Sequence, residues 1–136
     1  ETLADRLERI QKDRSKFTFL KRDAIKLLRK YQDRQGVVAF VDPPYFEAAH
    51  RLYRYWRIDH NLLFETLRRF RGDFLLAYDD VPQVRRLAKR CGFQVVRIQM
   101  RTSHHRTKTE LLISRSFSWI QSSPRSAHRK AALVHA

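Results

Sequence analysis

The sequence is poor in residues that bend a backbone freely or cross-link it. Of 136 residues, three are glycine, one is cysteine and one is methionine. A lone cysteine, Cys91, excludes a disulfide framework and any CxxC metal site. Six histidines are scattered without HExxH or zinc-finger spacing, so no metal is expected. No apolar run approaches the length of a membrane span and no signal peptide is visible, so the expectation is a cytoplasmic protein without a membrane partner. The first residue is Glu1 rather than Met, which reads as the start of a fragment. Acidic residues are scarce: 14 Asp and Glu stand against 29 Lys and Arg, a net charge of +15. Such an excess points to a polyanion, most simply nucleic acid, and a solvated basic surface is the plainer alternative.

Hydrophobic residues make up 43% of the chain, enough for one domain with one modest core. Leu3, Leu7 and Ile10 give residues 2–13 the period of an amphipathic helix. Residues 17–20 read as a short strand, and Asp23 is placed to cap a helix carrying Ala24, Leu27, Leu28 and Tyr31. The unbroken apolar run Val37 to Val41 suits a strand buried on both faces of a parallel sheet. Asp59 then opens a helix with Leu62, Leu63, Leu67 and Phe70, and residues 74–78 form the next strand. Asp80 is placed to cap a helix with Pro82 in its first turn and Val84, Leu87, Ala88 and Cys91 on its buried stripe. Two strands, 93–100 and 111–113, should form an antiparallel hairpin around a basic loop. Each glycine falls between a helix and the next strand, where a left-handed C-cap is wanted. The alternation predicts an α/β domain with a mostly parallel sheet over residues 1–115 and a basic, poorly ordered tail over residues 116–136.

The segment that carries chemistry is Asp42-Pro43-Pro44-Tyr45, directly after the most apolar strand. In open α/β sheets, ligands bind outside the carboxyl ends of the strands. Two prolines fix the backbone and remove two donors, leaving carbonyl oxygens free to accept. An aspartate adds an acceptor and a tyrosine adds a flat face. Together they suit a planar group bearing an amine, such as a nucleobase. A strand terminator with a solvated aspartate is the bland alternative.

The stretch Phe40-Val41-Asp42-Pro43-Pro44-Tyr45-Phe46 resembles the catalytic motif of amino-methyltransferases. Leu52-Tyr53, Asp59-His60, residues 74–82 with Val84-Arg85, and Lys108 to Ile113 extend the likeness, over roughly residues 17–115, to the D12 class (Dam-like) of adenine-specific DNA methyltransferases. That resemblance implies a site-specific DNA-methyltransferase that moves a methyl group from S-adenosylmethionine to adenine N6 in double-stranded DNA. A restriction endonuclease of the same system is then a candidate partner. Asp42 and the Pro43 carbonyl would accept from the amine, Pro44 would hold the turn, and Tyr45 would stack on the flipped adenine. Asp23 and Asp42 would lie beside the cofactor; Asp23 is equally well read as a plain helix cap.

The family's cofactor turn, F-x-G-x-G, is absent. The resemblance implies a Rossmann-like class I sheet of order 3-2-1-4-5-7-6, with residues 17–21 as strand three and 37–41 as strand four. Strands one and two would then be missing, and this chain alone is expected to bind S-adenosylmethionine weakly or not at all. Basic and aromatic residues interleave after the motif. Arg51, Arg54, Trp56 and Arg57 there, with Arg101, Arg106 and Lys108 in the hairpin loop, are the candidate DNA contacts. An amino-methyltransferase acting on RNA guanine and an inactive basic DNA-binding remnant remain the alternatives.

Overall fold

The computed structural model describes residues 2–46, 57–101 and 107–121, without the side chains of Arg101, Ile120 and Gln121. The first helix, α1 (Leu3–Lys12), opens with a capping box in which Thr2 and Asp5 each bond to the other's backbone. Its apolar stripe stays in solvent, with Leu3 72%, Leu7 57% and Ile10 54% exposed. A 3-10 turn over Arg14–Lys16 follows. Residues 17–20 then run without strand pairing, and Phe19 is 93% exposed. The strand expected there is therefore absent. A strand needs a neighbour, and no described strand lies alongside this segment.

Four strands and their helices make the body of the fold. They are α2 (Ala24–Tyr31), β1 (Val38–Val41), α3 (His60–Arg69), β2 (Asp73–Asp79), α4 (Pro82–Cys91), β3 (Gln94–Arg101), β4 (Thr107–Ser114) and the helical turn α5 (Ser118–Gln121). Asp23 caps α2 by accepting from the Lys26 amide at 3.0 Å, and Asp59 caps α3 by accepting from the Leu62 amide at 2.9 Å. Asp80 does not cap α4, whose N-cap is Val81. Its carboxylate instead bridges Arg85 and Arg97 at 2.6 and 2.8 Å, because two charged partners outcompete one backbone amide.

The sheet is mixed rather than mostly parallel. Its order is β1-β2-β4-β3, with β1 parallel to β2 and both other pairings antiparallel. Such an α/β fold, an open four-stranded sheet with flanking helices, keeps the expected class. Strand alternation divides the residues between two faces. One face carries Phe74, Leu76, Tyr78, Leu111 and Ile113, which form the core with Ile25 of α2, Leu63, Phe64 and Leu67 of α3, and Val84, Leu87 and Ala88 of α4. The other face is more open. Val38 and Phe40 are 58% and 69% exposed, so β1 is buried on one face only, contrary to the reading of its apolar run. The packed chain continues past residue 115: Phe117 is buried, and Arg115 reaches the Phe70 and Gly72 carbonyls at the end of α3.

Gly36 and Gly92 adopt the left-handed backbone expected of them, at φ 73° and 71°. Gly72 serves a different need. A Cβ there would sit 2.2 Å from the Val37 carbonyl oxygen, where the chain entering β2 meets the start of β1. Gly72→Ala should therefore destabilise the fold by about 3 kcal/mol through backbone displacement, against about 1 kcal/mol for Gly92→Ala through its φ alone. Urea denaturation of the two variants checks this; equal losses would contradict it.

Candidate functional site

The Asp42-Pro43-Pro44-Tyr45 segment leaves the carboxyl end of β1. Asp42 is exposed, Pro43 is buried, and Pro44 and Tyr45 are half-buried. Beside it lies the carboxyl end of β2, because β1 and β2 run parallel. The Tyr45 ring stacks on Tyr78 of β2, with centroids 5.7 Å apart and planes inclined by 29°. The next residue, Phe46, stacks on His60 at the start of α3, centroid to centroid 3.7 Å. His60 in turn bonds through Nδ1 to the Tyr78 hydroxyl. Four aromatic rings thus form one continuous wall behind the motif.

Charge arrives from β4. It pairs antiparallel with β2, so its beginning lies against the end of β2, and Glu110 sits opposite Asp79. Two residues earlier, on the same face, Lys108 holds its ammonium 4.4 Å from the centre of the Tyr45 ring and 3.3 Å from Glu110 Oε1. Burial pushes the Tyr45 phenol well above its usual pKa, and the Asp42 and Glu110 carboxylates beside it push it further. Burial likewise raises the Tyr78 phenol, helped by Asp79 and Tyr45. Both phenols therefore keep their protons and can donate at neutral pH. The Tyr78 hydroxyl is spent on His60, so the site offers carboxylate acceptors and a stack of rings, which together can grip a flat group bearing an amine.

The structure brings Asp42, Pro43, Pro44, Tyr45 and Lys108 together. Asp23 stands apart as the exposed cap of α2. With no strand over residues 17–20, it does not end a strand as the resemblance implied. Ala24, the next residue, lines a groove of about 460 Å³ between α2 and β1 that also touches Asp42, Pro43 and Pro44; its other walls are apolar, Leu27, Tyr31 and Phe40 among them. Arg57 is exposed just before α3, and Arg101 ends β3. Arg51, Arg54, Trp56 and Arg106 lie outside the described residues. Phe46 also lines a polar cleft of about 430 Å³ with Asn61, Gln83, Arg86 and Arg90, in which Arg90 donates to Asn61 at 2.9 Å.

His60 and Glu110 were not singled out from the sequence as site residues, whereas Tyr78, at the carboxyl end of an apolar strand, reads from the sequence as able to line the pocket. Glu110 had only an indirect signal, the strand order implied by the resemblance, in which the last strand lies beside the one that carries Tyr78. Among the described residues there is no group of three His, Cys, Asp or Glu that could hold a metal, and no helix is long and apolar enough to cross a membrane. No protein-family model matches the chain, and no curated protein is significantly similar to it.

Burial lowers the His60 pKa below 6.5, with Asp59 opposing more weakly. The folded chain thus binds fewer protons than the unfolded chain as pH falls past 6.5. Stability from this contact is full above that value and is lost progressively below it, as protonation takes Nδ1 away from the Tyr78 hydroxyl. The urea midpoint should fall between pH 7.5 and 5.5, and less so in His60→Phe, which keeps the stacked ring without the titration. An identical fall in both proteins would refute the assignment.

Proposed function

We propose that the chain is the amine-binding part of a DNA adenine-N6 methyltransferase, as its resemblance to the D12 class implies. One observation carries the reading. The Asp42-Pro43-Pro44-Tyr45 segment lies at the carboxyl end of a parallel strand, backed by Tyr78 and met by the Lys108 and Glu110 side chains. The strand order β1-β2-β4-β3 supports it as well, being the 4-5-7-6 part of the order that family would have.

In this reading a target adenine leaves the duplex and lies on Tyr45. Its N6 amine donates to the Asp42 carboxylate and the Pro43 carbonyl. Held by two acceptors, the nitrogen would be drawn out of conjugation with the ring, leaving its lone pair free to react. The gain is orientation and electrostatics, without a covalent enzyme intermediate. The polar cleft with Arg86 and Arg90 beside Phe46 is suited to a phosphate of the same strand.

S-adenosylmethionine, the family's methyl donor, finds only part of a site here. The groove beside β1 supplies one carboxylate, Asp42, and otherwise apolar walls, and the three glycines are all committed to connections between helices and strands. The described residues do not complete a site for this cofactor, and its binding must draw on residues beyond them. The missing glycine turn equally favours the second reading, an inactive DNA-binding remnant.

One experiment separates the two. The complete reading frame that encodes this chain is expressed in a host whose DNA lacks N6-methyladenine, and the DNA is digested and measured by mass spectrometry. The methyltransferase reading expects the mark to appear and to fall by about 100-fold or more in Asp42→Ala. No mark from the unaltered protein supports the remnant, and a mark that survives Asp42→Ala refutes the role given to Asp42.

A further inference from the structure

We infer that Lys108 is a placeholder: its ammonium occupies the Tyr45 ring face on which a base would stack, and the incoming base displaces it. The inference deepens the proposed function and rests on Tyr45 being a stacking platform. It replaces the sequence-based expectation that Lys108 grips phosphate.

Three features of the geometry carry it. First, Tyr78 and Lys108 belong to opposite faces of the sheet. Tyr78 shares its face with Phe74 and Leu76, whereas Lys108 shares its face with Glu110 and Asp79 by the β2–β4 register. The two side chains therefore approach Tyr45 from different sides. With Tyr78 stacked at 5.7 Å and the ammonium 4.4 Å from the ring centre, little of the Tyr45 ring is left for a third group. Second, a cation over a ring face uses the same surface as a stacked base, so the two compete. Third, the displaced ammonium has somewhere to go. Glu110 Oε1 lies 3.3 Å from it, and the Lys108 side chain is 42% exposed, so Lys108 can leave the ring while keeping its counter-ion and reaching water. By contrast, Tyr78 is fully buried and fixed by His60. Of the two partners of the Tyr45 ring, the exposed Lys108 is the one that can give way.

Competition gives a distinctive outcome on mutation. A lysine bound to phosphate strengthens nucleic-acid binding, and its loss weakens all sequences alike and lowers the salt dependence by about one ion. A placeholder opposes base binding, and its loss improves binding of the base alone. The probes are two single-stranded oligothymidylates, one with a central deoxyadenosine and one with an abasic site there. Binding of each is measured by fluorescence anisotropy over a range of salt.

The unaltered protein should prefer the adenine strand. Lys108→Met should raise that preference about 2- to 5-fold with an unchanged salt slope, and Lys108→Arg, whose guanidinium also covers a ring, should not. A preference that is unchanged or reduced in Lys108→Met, or a slope that falls by one, overturns the placeholder and leaves the base site intact. Equal binding of both strands by the unaltered protein overturns the base site itself, and the placeholder with it. A separate check needs no nucleic acid. The Lys108 ε-methylene protons should be shifted upfield by the Tyr45 ring current and return to normal in Tyr45→Leu; their absence from the shielded region overturns the inference at its premise.

Discussion

The antiparallel pairing of β2 with β4, with Asp79 opposite Glu110, is the contact on which the site depends. Were β3 and β4 to form a hairpin at the outer edge in chain order, β4 would lie one strand further from the motif. Instead β4 turns back between β2 and β3. Its beginning then meets the carboxyl ends of two parallel strands, the place where open α/β sheets collect ligands. Lys108 and Glu110 are thereby delivered to Tyr45 from 63 or more residues along the chain. The inserted strand also carries Leu111 and Ile113 into the core, so the residues that arm the site are anchored by those that hold the sheet together.

Much of this was legible in advance because it depends on local chemistry. Asp23 and Asp59 cap their helices as spacing suggests, and Pro82 opens α4. The boundaries of β2 and α4 follow apolar periodicity, and Asp42 to Tyr45 follows a strand as expected. The failures share one cause, which is that they depend on neighbours distant in sequence. Residues 17–20 have the composition of a strand but no described partner, and Val38 to Val41 look doubly buried yet have an open face. Asp80 has the position of a cap, but Arg97, 17 residues later, helps draw it away. Gly72 looks like another helix stop, and its real constraint is the Val37 carbonyl on a different element.

Exposed apolar surface is concentrated towards the beginning of the chain, at Leu3, Leu7, Phe17, Phe19, Val38 and Phe40. The far side of the sheet, around β2 and β4, is well packed. The described side chains that gather at Tyr45 therefore stand on the better-packed strands.

The central claim is that a nucleobase lies on Tyr45. Photochemical cross-linking reads this contact directly, since an 8-azidoadenine base held against a ring couples to it on irradiation. An oligothymidylate carrying one central 8-azidodeoxyadenosine, irradiated with the protein and analysed by peptide mass spectrometry, should label Tyr45 and lose that label in Tyr45→Leu. Labelling confined to other segments, with Tyr45 unmodified, would contradict the account.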